Sequence, residues 1–174
     1  MKKLALIALA ALASLPATLS AQTATGTLNV TATVNGSISM VFNTDPSGIT
    51  LTGAGTNAAT MAFGNVSAYG ALGAGISRVV GATNFTVSSP FDVNVAKTNV
   101  VSANYTLKAQ LSTADPNNTW AVGGTTVTSG AAATLTTTGA YASNNSMALA
   151  LTIPFSTANN TSISNSVAFT ATAN

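Results

Sequence analysis

The 174-residue sequence predicts an all-β protein, a sandwich or a barrel, on three observations. Apolar residues recur at period two in nearly every cluster, as they do on a strand with one buried face. The clusters follow one another at roughly 8–12-residue spacing, with turn chemistry between them. Helix signals beyond residue 21 are poor: Glu is absent, Lys is scarce and Thr is abundant, and Thr and Val suit pleated, half-buried surfaces.

The start of the chain reads as a targeting segment. Lys2 and Lys3 precede an apolar run over residues 4–15, which at roughly a dozen residues is too short to span a bilayer. Pro16 breaks the run, and Leu19-Ser20-Ala21 offers a small residue at the cut. This is the pattern of a secretory signal peptide over residues 1–21, with Gln22 as the mature start. No later stretch is long and apolar enough to span, so the expected destination is outside the cell.

The stretch over residues 25–34 alternates without a break. Leu28, Val30, Ala32 and Val34 fall on one face, and Thr27, Asn29, Thr31 and Thr33 on the other, which predicts a half-buried strand at the mature N-terminus. Its apolar face has to be buried either in its own domain or in a neighbour's. Ile38, Met40 and Phe42 mark the next strand, and Asp45-Pro46-Ser47-Gly48 a turn. Ile49 and Leu51 read as a short strand, residues 53–59 as a loop, Met61 and Phe63 as an apolar pair before Gly64, and residues 70–75 as a flexible, exposed segment. Phe85 and Val87 alternate before Pro90; Phe91, Val93 and Val95 follow it.

Tyr105, Leu107, Ala109 and Leu111 form the clearest strand of the centre. Asp115-Pro116-Asn117-Asn118 is a turn, and Trp120 and Val122 lead into Gly123-Gly124, a hairpin signal. Val127 and Leu135 mark weaker strands. Met147, Leu149, Leu151 and Ile153 mark a strong one ended by Pro154, and Asn159-Asn160 a loop. Val167, Phe169, Ala171 and Ala173 make the last strand. No repeat of fixed period and no linker divides the mature chain. The reading is one domain over residues 36–174 behind an extension over residues 22–35, with Val93, Val95, Tyr105, Leu107, Leu111, Leu149, Leu151, Ile153 and Phe169 in the core.

Composition excludes several functions. The net charge of +2 belongs to Lys2 and Lys3; beyond them Arg78, Lys97 and Lys108 balance Asp45, Asp92 and Asp115. With no basic cluster, nucleic acid is not an expected partner. Near-zero net charge favours association over mutual repulsion. Cys is absent, so the core is held by burial and hydrogen bonds alone.

Catalysis is not expected either. There is no His, Cys or Glu, which removes the usual general base and any Ser-His-Asp arrangement. Neither Lys97 nor Lys108 stands three residues after a Ser, and no G-x-S-x-G elbow occurs. The glycines over residues 70–75 lack the Lys-Ser/Thr ending of a phosphate loop. Asp45 and Asp115 precede prolines in turns, Asp92 is expected to be solvated, and no calcium loop of EF-hand spacing exists. No catalytic residue, metal, cofactor or small-molecule substrate is predicted. Trp120, Tyr69 and Tyr141 lie near turns, where sugar-stacking residues often sit; for Trp120 the competing role is to cap the sandwich core.

Three places resemble a known family. Gly26-Thr27-Leu28-Asn29-Val30-Thr31-Ala32-Thr33-Val34 is similar to the N-terminal donor strand of secreted pilins of the chaperone–usher class, in particular the archaic branch related to spore coat protein U. Met61-Ala62-Phe63-Gly64-Asn65 resembles their short strand ending in Phe-Gly. Leu151-Thr152-Ile153-Pro154-Phe155, with Ser166-Val167-Ala168-Phe169-Thr170-Ala171-Thr172, resembles their last two strands. The chain departs from the pattern at Gly36-Ser37, where such pilins usually carry a Cys, and at Ala173-Asn174, where many carry an aromatic residue.

The resemblance implies an incomplete immunoglobulin-like β-sandwich whose hydrophobic groove is filled by the N-terminal extension of the next subunit. Leu28, Val30, Ala32 and Val34 would be the donor face, and Val167, Phe169 and Ala171 the acceptor strand. Burying Leu28, Val30 and Val34 would contribute roughly 5–8 kcal/mol gross, at about 1.5–3 kcal/mol per side chain. The implied partners are further copies of the chain, head to tail in an extracellular filament at the cell surface, with a periplasmic chaperone and an outer-membrane usher during export. Two other readings stay open: a self-contained secreted β-sandwich that binds a glycan or protein at the cell surface, and a functional amyloid. The lack of repeats and the prolines argue against the amyloid.

Overall fold

The computed structural model describes residues 24–174; the predicted signal peptide over residues 1–21 and the cut before Gln22 lie outside them. The chain divides into two units, Met1–Thr33 and Val34–Asn174. In the first, residues 24–33 carry no strand, and Leu28 and Val30 are 86% and 80% exposed. The strand predicted over residues 25–34 is therefore not formed, because a segment without a ladder partner among the described residues has no strand hydrogen bonds to make.

The second unit is an immunoglobulin-like β-sandwich of nine strands, and no helix occurs among the described residues. They are β1 (Ser37–Thr44), β2 (Ser77–Val80), β3 (Asn84–Thr98), β4 (Asn104–Leu111), β5 (Thr119–Val122), β6 (Thr125–Val127), β7 (Ala133–Ala140), β8 (Asn144–Pro154) and β9 (Val167–Ala173). One sheet has the order β1-β3-β8-β5-β6, with β2 also on β3; the other has the order β7-β4-β9. All pairings are antiparallel.

Register converts the alternation into a core. On β3, Phe85, Val87, Ser89, Phe91, Val93 and Val95 all point inward and are buried. Their partners on β8 include Ile153, Leu151, Leu149 and Met147. From the facing sheet come Tyr105, Leu107, Ala109 and Leu111 of β4, opposite Ala173, Ala171, Phe169 and Val167 of β9. Tyr105 is fully buried, its hydroxyl accepts a hydrogen bond from Asn145 Nδ2, and Gly139 opposite it leaves room for the ring; a Cβ there would come within 2.4 Å of the ring. Gly123 and Gly124 have φ of 56° and 80°, the left-handed pair that a two-residue hairpin between β5 and β6 requires.

Three elements differ from expectation. Pro90 does not divide two strands: β3 runs through it for 15 residues. The strand on that side is itself interrupted, since β1 pairs as far as Phe91 and β2 begins at Ser88, so Pro90 falls at the gap. The predicted Ile49–Leu51 strand is not formed. Ile49 N–H instead donates to Ser89 Oγ at 2.8 Å and Leu51 N–H to Thr44 Oγ1 at 3.0 Å, which folds this stretch over the gap. Asp92 is 6% exposed rather than solvated, because β3 is flanked on both sides and Asn144 Nδ2 donates to its Oδ2 at 2.9 Å.

The Asp45 turn seats against β3 with no room for a side chain. A Cβ on Gly48 would lie 2.1 Å from the carbonyl oxygen of Pro90, and one on Gly75 would lie 2.3 Å from the Gly48 carbonyl carbon. Gly48→Ala is expected to destabilise the unit by about 1–3 kcal/mol through backbone displacement. Gly130→Ala, where a Cβ meets nothing within 4 Å, should stay within about 0.5 kcal/mol of the parent. Urea melts of the two variants check the contrast.

Candidate subunit-binding cleft

The two sheets do not cover one another completely. An open cleft of about 930 Å³ lies between them. Its lining includes Phe85 and Phe91 of β3, Leu151 and Ile153 of β8, Trp120 of β5 and Phe42 of β1. Phe85 and Phe91 are six residues apart on one strand, which sets a length of roughly 20 Å at about 3.3 Å per residue. The walls are irregular backbone over residues 59–68 and 157–166, together with Val167 and Phe169 at the start of β9. Among the described residues no charged side chain lines it.

Aromatic rings mark both its limits along β3. Phe42, Phe91 and Phe169 form a cluster, with Phe169 edge-on to Phe42 at 5.1 Å and to Phe91 at 5.9 Å. At the other end Phe155, 41% exposed, stacks on Phe85 at 6.4 Å. Phe169 and Leu149 were both expected in the core and are only half-buried, because both face this cleft. β9 is the edge of its sheet: it pairs with β4 on one side, and among the described residues no strand pairs with its other side.

Of the predicted acceptor residues, Val167 and Phe169 line the cleft, whereas Ala171 packs against the core outside that lining. Of the predicted donor residues, Leu28, Val30 and Ala32 are exposed in the first unit and Val34 is 76% exposed at the start of the second. Residues 59–68 and Phe155 were not foreseen as cleft residues. A signal existed, since Met61 and Phe63 alternate, as do Val66 and Ala68, and the phase changes between them at Gly64.

The three aromatic candidates for ligand stacking have different surroundings. Trp120 is 6% exposed, forms part of the cleft floor and donates from Nε1 to Asp115 Oδ2 at 2.8 Å. Tyr141 is half-buried on Tyr105, with Lys97 Nζ 4.8 Å from its ring centre and its hydroxyl donating to the Asn104 carbonyl. Tyr69 is exposed. Among the described residues no three acidic, His or Cys side chains gather where a metal ion could sit.

Asp115 fixes the Trp120 indole and its own turn together. Burial raises its pKa, but donors from Trp120, Asn118 and the Asn117 backbone more than offset this, so the carboxyl lies below its ordinary value of 3.8. Asp45 is also lowered, chiefly by the Ser47 hydroxyl and backbone N–H and by Ser146. No protein-family model, curated protein or solved structure matches the chain.

A carboxyl whose folded pKa is depressed contributes stability that is complete above its unfolded value and is lost as pH falls through the folded one. Melting temperature is therefore expected to drop in acid, below about pH 4. Asp115→Asn should lower the melting temperature at neutral pH and make the acid drop shallower, with the part due to Asp45 remaining. Thermal melts from pH 7 to pH 2 check both expectations.

Proposed function

We propose that this chain is the structural subunit of an extracellular filament, joined head to tail by donor-strand exchange. Residues 28–34 of one copy enter the cleft beside β9 of the next and pair with its free edge. One observation carries the reading: the same chain holds an uncharged, strand-length cleft beside an unpaired edge strand, and an alternating segment with its apolar face exposed.

The two parts match in size and chemistry. β9 has seven residues and residues 28–34 are also seven, each about 23 Å when extended. The donor presents Leu28, Val30, Ala32 and Val34 on one face, and a sheet edge supplies backbone donors and acceptors to the incoming strand. Covering a free edge also removes an aggregation hazard. Because the donating and accepting surfaces differ, the contact is heterologous, and a heterologous contact whose rotation does not close yields a linear polymer. The secretory start and the missing catalytic side chains agree with an exported structural role. A periplasmic chaperone and an outer-membrane usher are the partners proposed for covering the edge in transit.

The test contrasts the two faces of the donor. Val30→Asp puts a carboxylate into an uncharged groove, at a cost of several kcal/mol. It is expected to leave a folded monomer that does not polymerise. Thr31→Asp changes the opposite face and should leave near-normal filament yield. Electron microscopy beside thermal melting reads both. A Val30→Asp chain that fails to fold would assign the segment to its own sheet and favour the self-contained binding module. Equal filaments from both variants would make residues 28–34 a passive tail.

A further inference from the structure

Residues 61–68 combine apolar burial with an unbonded backbone. All eight line the cleft; Met61, Phe63, Val66 and Ala68 are half-buried against the core, while Ala62, Gly64, Asn65 and Ser67 between them are exposed. The segment begins at a two-way backbone pair: Thr52 N–H donates to the Thr60 carbonyl at 3.0 Å, and Thr60 N–H to the Thr52 carbonyl at 2.8 Å. From residue 61 to residue 72 no backbone group bonds to another backbone group among the described residues. At the far end the Arg78 guanidinium, standing on β2, donates to the Ser67 carbonyl at 2.8 Å and to the Gly70 carbonyl at 3.0 Å. Gly64, with φ of 64°, makes the bend between the two apolar pairs.

Such a segment is easy to lift. Its attachment to the cleft is side-chain contact alone, without the ladder that holds β1 or β9, and segments with few backbone bonds open at low cost. Charged donors on backbone carbonyls are the strongest polar ties it has. We propose that residues 61–68 are a displaceable cover of the cleft, latched by Arg78, that keeps apolar side chains over the floor in the free subunit and gives way to an incoming strand. This rests on the cleft being an acceptor for residues 28–34. The cover explains how a free subunit limits the exposure of Phe85, Leu151 and Ile153, which are no more than 7% exposed although they line an open cleft. It also makes strand entry a replacement of one apolar occupant by another.

The experiment uses the full chain carrying Val30→Asp, which keeps it monomeric, and a synthetic peptide of residues 25–35 as the probe. Trp120, the single Trp of the chain, lies in the cleft floor and reports peptide entry by its fluorescence. Arg78→Ala is expected to speed peptide capture about tenfold, the effect of about 1.4 kcal/mol on opening. Limited proteolysis should quicken within residues 61–70, and hydrogen exchange in β3 and β8 should stay unchanged. Phe63→Ala loosens the cover from its apolar side with the Arg78 bonds intact, and carries the same expectation should Arg78→Ala fold poorly. Capture rates equal to the parent's in both variants overturn the cover and leave the acceptor cleft standing. Absence of peptide capture by any of the chains, at peptide concentrations up to the millimolar range, overturns the acceptor and the cover together.

Discussion

Cohesion in the second unit comes from apolar burial between two sheets of unequal width. One is five ribbons across, since β1 and β2 share a single edge of β3, and the other is three. At about 4.8 Å per ribbon these are roughly 24 Å and 14 Å wide, so about two ribbons of the wider face find no strand opposite. With no Cys to hold a looser arrangement, that deficit has to be met by chain that is not strand. Residues 59–68 and 157–166 meet it in part, and the cleft is what they leave. The half-buried state of Leu149 and Phe169 is the same deficit seen one residue at a time.

The interrupted edge is the second organising feature. Pro90 lies where β1 and β2 leave a gap, and that gap receives the Asp45 turn, with Gly48 against the Pro90 carbonyl and Ser89 Oγ accepting the Ile49 N–H. A fully buried Ser is costly unless it is bonded, and here it anchors a loop. The long connection between β1 and β2, which contains the cleft wall, is thus tied to β3 at its start and to β2 through Arg78 near its end.

Much of the fold was legible in the sequence because alternation and burial coincide on the strands that face the core. Tyr105 to Leu111 and Met147 to Ile153 fell where period two placed them, and Gly123-Gly124 made its hairpin. β2 was missed, since Arg78-Val79-Val80 has no alternation and Val79 is 72% exposed. Pro90 reads as a break in β3, although the phase of Phe85, Val87, Phe91, Val93 and Val95 is unbroken across it. The cleft itself was half legible. Val167 and Phe169 followed from the last strand, but the wall at residues 59–68 owes its position to tertiary contacts, which no local pattern encodes. Asp92 was misplaced for a related reason: exposure on an outward face depends on what flanks the strand, and Asn144 is distant in sequence.

The registers described above join β3 to β8 across 50 to 70 positions of sequence and β4 to β9 across 56 to 68. Folding slows as paired residues lie farther apart, because loop entropy is lost before the contacts that reward it are made, and all-β chains fold in milliseconds to seconds. β9 supplies the last pairing from the far end of the sequence. Until it docks, the smaller sheet is only β7 on β4, and the inward faces of Tyr105, Leu107 and Ala109 lack the neighbours that Ala173, Ala171 and Phe169 provide. For this architecture the sensitive quantity is time: the interval between making β4 and seating β9 is the one in which those inward faces stay uncovered.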